Sequence, residues 1–313
     1  MSTGPMAAKS GELDCVCPAC SHRDSILWGQ DEEHPVRQCN SCQTLYFPRP
    51  VLRPHDYSTY YPYLHGFSSE RCQWELKKRQ GQTRSRLAFM GSRLARARLL
   101  DVGAGPGFFA RGAMDAGCQV EAIEASPPAI EIGAREFGIK FLDLESAEDC
   151  AYDMVTCFHV LEHLEEPTSL LSTLRNKLRP GGALMVHVPN HESLSEAALY
   201  QARRVLQGRD TRRGSLYFPE HLTAFTERGL SACAVRAGFT PLKTIQIGPF
   251  NSQYDPLLLA NYFFGASGRL KRPEVLALGR LLFKGVLDTI GKPFGRGSWI
   301  AALFDIPSPI AGK

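Results

Sequence analysis

No apolar run in this 313-residue chain is long enough to cross a bilayer: the longest, such as residues 257–266, fall far short of the roughly 20 residues a spanning helix needs. The polar start MSTGPMAAKSGELD lacks the apolar segment of a secretory signal, so a soluble, cytoplasmic protein is expected. Strong charge of one sign is also missing. A net charge of +4 is too small to argue by itself for a nucleic-acid partner. Apolar residues are not scarce: 43% hydrophobic with 22% charged supports a real core and excludes wholesale disorder, collagen and coiled coil. The length allows one large domain with an appendage, or two domains. The charge is uneven, with 16 Lys and Arg against 7 Asp and Glu from Tyr200 onward. That imbalance fits a solvated basic face, or else a surface for an acidic substrate, an anionic membrane or RNA.

Five of the ten cysteines lie at positions 15, 17, 20, 39 and 42. Cys17-Pro18-Ala19-Cys20 and Cys39-Asn40-Ser41-Cys42 are two CxxC turns 18 residues apart, a spacing that presents four thiolates tetrahedrally to a structural zinc. Cys15 is a spare. Disulfides disagree with a reducing cytosol, and a thioredoxin-like redox motif would need a βαβ unit around one CxxC. Four protein ligands close the coordination sphere, so this metal would hold a fold and do no chemistry. The Pro- and Tyr-rich stretch from Tyr46 to Pro62 reads as an ordered linker, and residues 70–98 turn helical and basic.

Leu99-Leu100-Asp101-Val102-Gly103-Ala104-Gly105-Pro106-Gly107 is a short apolar run followed by three glycines and a helical pattern, which predicts a strand, a tight turn and a helix. A second strand at residues 120–124 ends in Glu124, about twenty residues beyond the glycines, where an acid can accept hydrogen bonds from ribose hydroxyls. Together these predict an adenosine-type nucleotide. Both NAD-type and S-adenosylmethionine-type folds use this logic. The third glycine falls one residue early for a dinucleotide fingerprint, and a carboxylate at Asp101 suits an ammonium group and repels a pyrophosphate.

Residues 100–107 resemble the first motif of class I S-adenosylmethionine-dependent methyltransferases, and the resemblance continues from about residue 15 to 245. Asp143 and Leu144 look like the third-strand end that meets the adenine, and Tyr152-Asp153-Met154-Val155-Thr156-Cys157-Phe158 looks like the fourth strand. His159-Val160-Leu161-Glu162-His163 is similar to the HVLEH signature of one branch, several members of which begin with two zinc-type CxxC pairs. Residues 178–182 resemble the turn before strand five (183–188), and residues 220–226 leading to 237–239 are typical of the same branch. The resemblance implies a Rossmann-like α/β doubly wound methyltransferase sheet with a small N-terminal zinc-knuckle module. It implies cofactor contacts from Asp101, Gly103, Gly105, Gly107, Glu124, Ala125, Asp143 and Leu144. The expected division is a zinc-ribbon-like module at 1–50, linker and helices at 51–98, a cofactor-binding core at 99–247 and a helical, basic extension at 248–313. A sixth strand fits residues 242–247; no convincing seventh follows, although 298–304 could serve.

In open α/β sheets ligands bind off the carboxyl ends of the strands, so His159, His163, Asn190 and His191 are pocket candidates, whereas His187 reads as a satisfied packing residue. The spacing of His159, Glu162 and His163 puts three potential metal ligands on one helical face, with His221 a possible fourth; bracing of the turn is the other reading. A hydroxyl acceptor needs a base, and a neutral imidazole suffices, which makes His221 and His159 the candidate catalytic residues. The chain has no Asp/Asn-Pro-Pro-aromatic motif after strand four and no Pro-Cys setting, which disfavours nucleic-acid base methylation. The acceptor pocket is expected from residues 192–218 and the tail beyond 250, where Val275, Leu278, Leu282, Val286 and Ile290 form an amphipathic pattern suited to packing, dimerisation or lipid contact. A small-molecule, glycan or secondary-metabolite acceptor is therefore expected, methylated at oxygen. An RNA methyltransferase and a non-catalytic cofactor-binding or zinc interaction module are the alternatives.

Overall fold

The computed structural model describes residues 15–31, 34–48, 67–94, 96–198, 220–247, 286–287 and 289–306. Most of the amphipathic pattern beyond 250, most of the 192–218 segment and the linker beyond residue 48 therefore lie outside the described residues.

The main sheet has seven strands. In chain order they are β4 (Arg98–Val102), β5 (Gln119–Ile123), β6 (Lys140–Phe141), β7 (Tyr152–Phe158), β8 (Leu178–Pro189), β10 (Thr240–Ile247) and β11 (Trp299–Asp305). Their spatial order is β10-β11-β8-β7-β4-β5-β6, and β11 alone runs antiparallel to its neighbours. Strands β4 and β7, and β8 from Gly182 to Val188, are mostly apolar and buried, as a sheet covered on both faces requires. Helices α1 (Ser69–Met90) and α2 (Phe108–Asp115) pack on one face, where Phe89, Met90 and Phe109 meet Leu99, Met154 and Met185. Helices α4 (Pro167–Lys177) and α5 (Glu227–Arg236) cover the other, where Leu171, Leu174 and Leu230 meet Leu100, Val155 and Val186. Helix α3 (Pro127–Phe137) closes the β5–β6 edge, and each large side chain buried this way stabilises the fold by roughly 1.5–3 kcal/mol.

Helix α1 starts at Ser68, whose side chain accepts from the Arg71 N–H, and stops at Gly91, whose φ of 72° ends the regular turn short of the basic pattern's end at residue 98. The seventh strand is β11, one residue on from the sequence candidate. It inserts between β8 and β10, pairing Trp299 with Pro189 and Ile247. Residues Ile300 to Phe304 are all buried. The division at 247/248 is thereby corrected: a strand from the expected extension lies inside the core sheet, because its apolar run is needed between two half-covered strands.

A second, four-stranded antiparallel sheet has the order β1-β2-β3-β9, from β1 (Ser25–Asp31), β2 (His34–Cys39), β3 (Leu45–Tyr46) and β9 (Thr223–Ala224). Three of its strands belong to the cysteine-rich front, and the fourth comes from the core. The front therefore shares a sheet with the core. Its residues Cys17, Ala19, Cys39, Cys42 and Tyr46 share one apolar core with Leu161, Phe225 and Leu230.

Candidate functional site

Strand β4 ends at the glycine turn. Gly103 takes φ 71°, and a Cβ there would collide with Val160 Cγ2; Gly107 takes φ 81°, and its Cβ would collide with Ile139 Cδ1. Glycine is required at both positions by conformation and by space. The carboxylate of Glu124, just past β5, accepts from the N–H groups of Gly105 (2.6 Å), Ala125 (2.8 Å) and Ser126 (2.9 Å). Three of its roughly four lone-pair sites are thus engaged in holding the turn, which leaves room for about one further donor. Gly103 and Ala104 N–H both donate to Ile123 O, locking the turn to β5. Asp143 and Leu144 follow β6, beyond β5 in the sheet, with Asp143 exposed. The eight expected cofactor residues therefore line the carboxyl ends of three adjacent parallel strands.

Asp101 is buried, accepts from Thr156 Oγ1 at 2.7 Å, and has its carboxyl pushed up to about 7 by burial, against the pull of Thr156 and Arg86. Arg86 of α1 is a buried charge that reading the sequence missed. Its guanidinium is buried, lies 4.1 Å over the Phe158 ring, and donates from Nη2 to His187 Nδ1 at 2.9 Å. Its Nε has no hydrogen-bond partner among the described residues, and burial lowers its pKa to about 10. A buried guanidinium is costly without an anion hydrogen-bonded to it. His187 is not the fully satisfied residue expected: Nδ1 accepts the hydrogen bond from Arg86 while Nε2 is buried without a partner among the described residues, and burial holds the ring neutral. Both side chains line a small cleft of about 100 Å³ with Gln82, Phe89, Met185 and Gln246.

The HVLEH segment differs from expectation in its backbone. His159 adopts φ 57°, a left-handed conformation uncommon for a non-glycine residue, and only Leu161–His163 forms a short 3₁₀ turn, so the three side chains do not share an α-helical face. Both histidines nonetheless approach the Glu162 carboxylate. Glu162 is 1% exposed, with its Oε1 3.3 Å from His159 Nδ1. Its oxygens have no aligned hydrogen-bond donor among the described residues. Burial raises its pKa, but His159, His163 and His221 outweigh that and hold it below the usual carboxylate range. Ligand atoms of Glu162, His163 and His221 all lie within 4.8 Å of one another, a separation at which they could hold a cation. The rings of His163 and His221 are 4.7 Å apart, edge to face, and His163 Nδ1 is 2.7 Å from Glu220 O.

Two other positional candidates are structural. Asn190 is buried and donates to Gln246 Oε1, Gly295 O and Gly297 O, tying the end of β8 to the start of β11. His191 packs edge-on against Trp28 at 5.8 Å, and burial drops its pKa to about 4.

At the front, Cys17 Sγ is 3.7 Å from Cys42 Sγ and Cys20 Sγ is 3.4 Å from Cys39 Sγ, with all four sulfurs within 4.8 Å. Tetrahedral Zn–S bonds of about 2.3 Å imply sulfur separations of about 3.8 Å, so the set fits zinc without rearrangement. The hydrogen bond with Cys42 and burial push the Cys17 thiol up, burial raises Cys20 to about 12, and hydrogen bonds from Cys17 lower Cys42 to about 5. Four such thiols cannot all ionise without a cation among them.

Comparison with known proteins agrees with this geometry. A family model described as a methyltransferase domain matches residues 76–244. The ubiquinone biosynthesis O-methyltransferase of Xanthomonas euvesicatoria pv. vesicatoria is 34% identical over 117 residues, 34% of this chain and 49% of that protein. The mitochondrial ubiquinone biosynthesis O-methyltransferase of Schizosaccharomyces pombe is 31% identical over 114 residues, 33% of this chain and 40% of that protein. The chain thus spans about half the length of the curated relatives it matches, or less. The solved structure of Haemonchus contortus phosphoethanolamine N-methyltransferase 2 in complex with S-adenosyl-L-methionine superposes with a TM-score of 0.53 at 14% identity, covering 91% of this chain and 71% of that one, a likeness of fold. With a seven-stranded Rossmann-like sheet, a glycine turn closed by an acid, and a family match over more than half its length, the chain belongs to the methyltransferase-domain family.

Proposed function

We propose that this chain is an S-adenosylmethionine-dependent methyltransferase that methylates an oxygen of a small-molecule acceptor, carries a structural zinc on Cys17, Cys20, Cys39 and Cys42, and works in the cytoplasm. The observation that carries the reading is the Glu124-braced glycine turn at the end of β4, in a core that also buries the charged side chains of Asp101 and Arg86. An amino-acid end presents an ammonium and a carboxylate together, and these two side chains offer the matching charges. Asp101 would take the ammonium, Arg86 the carboxylate, Glu124 the ribose, and Asp143 with Leu144 the adenine. The cofactor would supply a methyl group already activated on a sulfonium. The protein's own task is then alignment and exclusion of water, with His159 or His221 accepting the hydroxyl proton as the oxygen is methylated.

Glu124→Ala is expected to weaken S-adenosylhomocysteine binding by about tenfold to a hundredfold, through a lost ribose bond and a loosened turn. Isothermal titration measures this, and unchanged affinity, or tighter binding of NAD by the wild type, overturns the assignment.

The raised pKa of Asp101 gives that binding a pH dependence. Below about 7 the carboxyl is protonated and cannot pair with an ammonium; above it the charge is present. Affinity for S-adenosylhomocysteine should therefore rise about tenfold between pH 6 and 8, and Asp101→Asn should flatten the profile. The same shift makes the ligand-free fold lose stability as pH rises from about 4 through 7, since the folded state holds the proton more tightly than the unfolded chain.

A second reading of the histidine cluster is favoured by the buried carboxylate of Glu162, whose oxygens lack an aligned donor among the described residues: a divalent cation on Glu162, His163 and His221. Metal analysis separates the two, with about one equivalent supporting zinc in the cysteine set alone and two supporting the added cation.

A further inference from the structure

The cysteine front reads in isolation as an accessory module, yet its last strand is bonded to the segment that carries His221. Strand β3 pairs with β9 through Leu45 with Ala224 and Tyr46 with Thr223. Phe47 N–H donates to Leu222 O at 3.2 Å, while Leu222 N–H donates to Glu162 O at 2.8 Å. The residue next to His221 is therefore held on one side by the front and on the other by the turn bearing Glu162. Thr226, two residues past β9, donates from Oγ1 to Cys42 O at 2.6 Å and accepts from Gly229 N–H, so one hydroxyl joins a zinc-type turn to the start of α5. Arg236 at the other end of α5 donates to Pro18 O and Ala19 O within the first CxxC turn. Trp28 of β1 lies against His191, just beyond β8.

None of these bonds reaches the glycine turn. They run from both CxxC turns to β9 and α5, and the segment entering β9 carries the histidine cluster's His221. We propose that the cysteine front is the positioning element of that cluster: metal on the four thiolates fixes β3, and β3 through β9 sets His221 against Glu162. The inference rests on the zinc reading above and adds a consequence to it. Zinc occupancy would control the placement of His221 without controlling cofactor binding. Thr226, Arg236 and the β3 backbone are positioning groups; none of them touches a reacting atom.

The experiment uses the full chain and S-adenosylhomocysteine as the probe, with three readouts: zinc content, affinity by titration, and the imidazole signals of His163 and His221 by NMR. Zinc removal with a chelator should speed amide exchange at residues 222–225 at least tenfold and shift the His221 signal. Exchange at residues 103–107 and the affinity should stay within about twofold. Because chelation can unfold more than the front, Thr226→Val supplies a second perturbation that leaves all four thiolates in place. It should keep about one equivalent of zinc and normal affinity yet move the His221 signal, and Thr226→Ser should restore it. An unmoved His221 signal in both the chelated protein and Thr226→Val overturns the proposal, as does a parallel loss of affinity in Thr226→Val. Absence of zinc from the wild type defeats the zinc reading instead, and Thr226→Val still decides whether β3 places His221.

Discussion

Cys39→Ser combined with Cys42→Ser is expected to abolish zinc binding, from about one equivalent in the wild type to none, and to cost the protein much of its stability. The reason is energetic. Structural zinc sites contribute roughly 10–16 kcal/mol of apparent binding free energy, and that energy is folding energy because the site does not exist in the unfolded chain. In this protein the contribution is not confined to a dispensable arm. Cys17, Cys39 and Cys42 are buried in the same apolar core as Leu161, Phe225 and Cys233, so opening the turns exposes part of the methyltransferase core. Serine at two positions also leaves the remaining thiols in a buried pocket without a cation, where burial disfavours their charged form. Metal analysis and thermal unfolding check the result: the double variant should contain no zinc and melt well below the wild type. Zinc-free wild type that is fully folded would overturn the assignment.

Replacing either candidate catalytic histidine has the second-largest expected effect. If the acceptor is a hydroxyl, His159→Gln or His221→Gln should lower kcat by about 10²–10⁴ and leave S-adenosylhomocysteine affinity nearly intact. The geometry favours His159 for the base, since Glu162 lies within ion-pair reach of Nδ1 and can orient the ring, the arrangement in which a carboxylate steadies a general base. Its left-handed backbone fits a site that holds strain for function. His221 lies across the same carboxylate and gains its place from β9. Steady-state kinetics with the acceptor, alongside titration of the cofactor product, separates a chemical loss from a binding loss. Full activity in both variants returns these histidines to bracing and leaves proximity to carry the reaction.

Much of the site is legible in the amino-acid sequence. The glycine turn, Glu124 and the CxxC pairs stand out because each depends on residues a short distance apart along the chain, where backbone geometry and ligand spacing act locally. The helical face expected for His159, Glu162 and His163 fails because His159 takes a left-handed backbone and only Leu161–His163 forms a short 3₁₀ turn, neither of which the spacing reveals. Asn190 is a pocket candidate by its place after a strand, and the structure uses it to join β8 to β11, since a buried amide must find partners and three lie within reach.

What the sequence by itself determined was the α/β class, the order of the first strands, the glycine turn and the four clustered thiols. Only the tertiary structure decided that Arg86 reaches His187, that β11 returns to the middle of the sheet, and that the cysteine front pairs with β9, just past His221. Arg86 and His187 are separated by 101 residues, and Thr226 and Cys42 by 184. Contacts of that kind leave no periodicity to read. They are set by which buried polar groups find one another once the apolar strands have packed, because an unpaired donor or charge in the interior is too costly to leave alone.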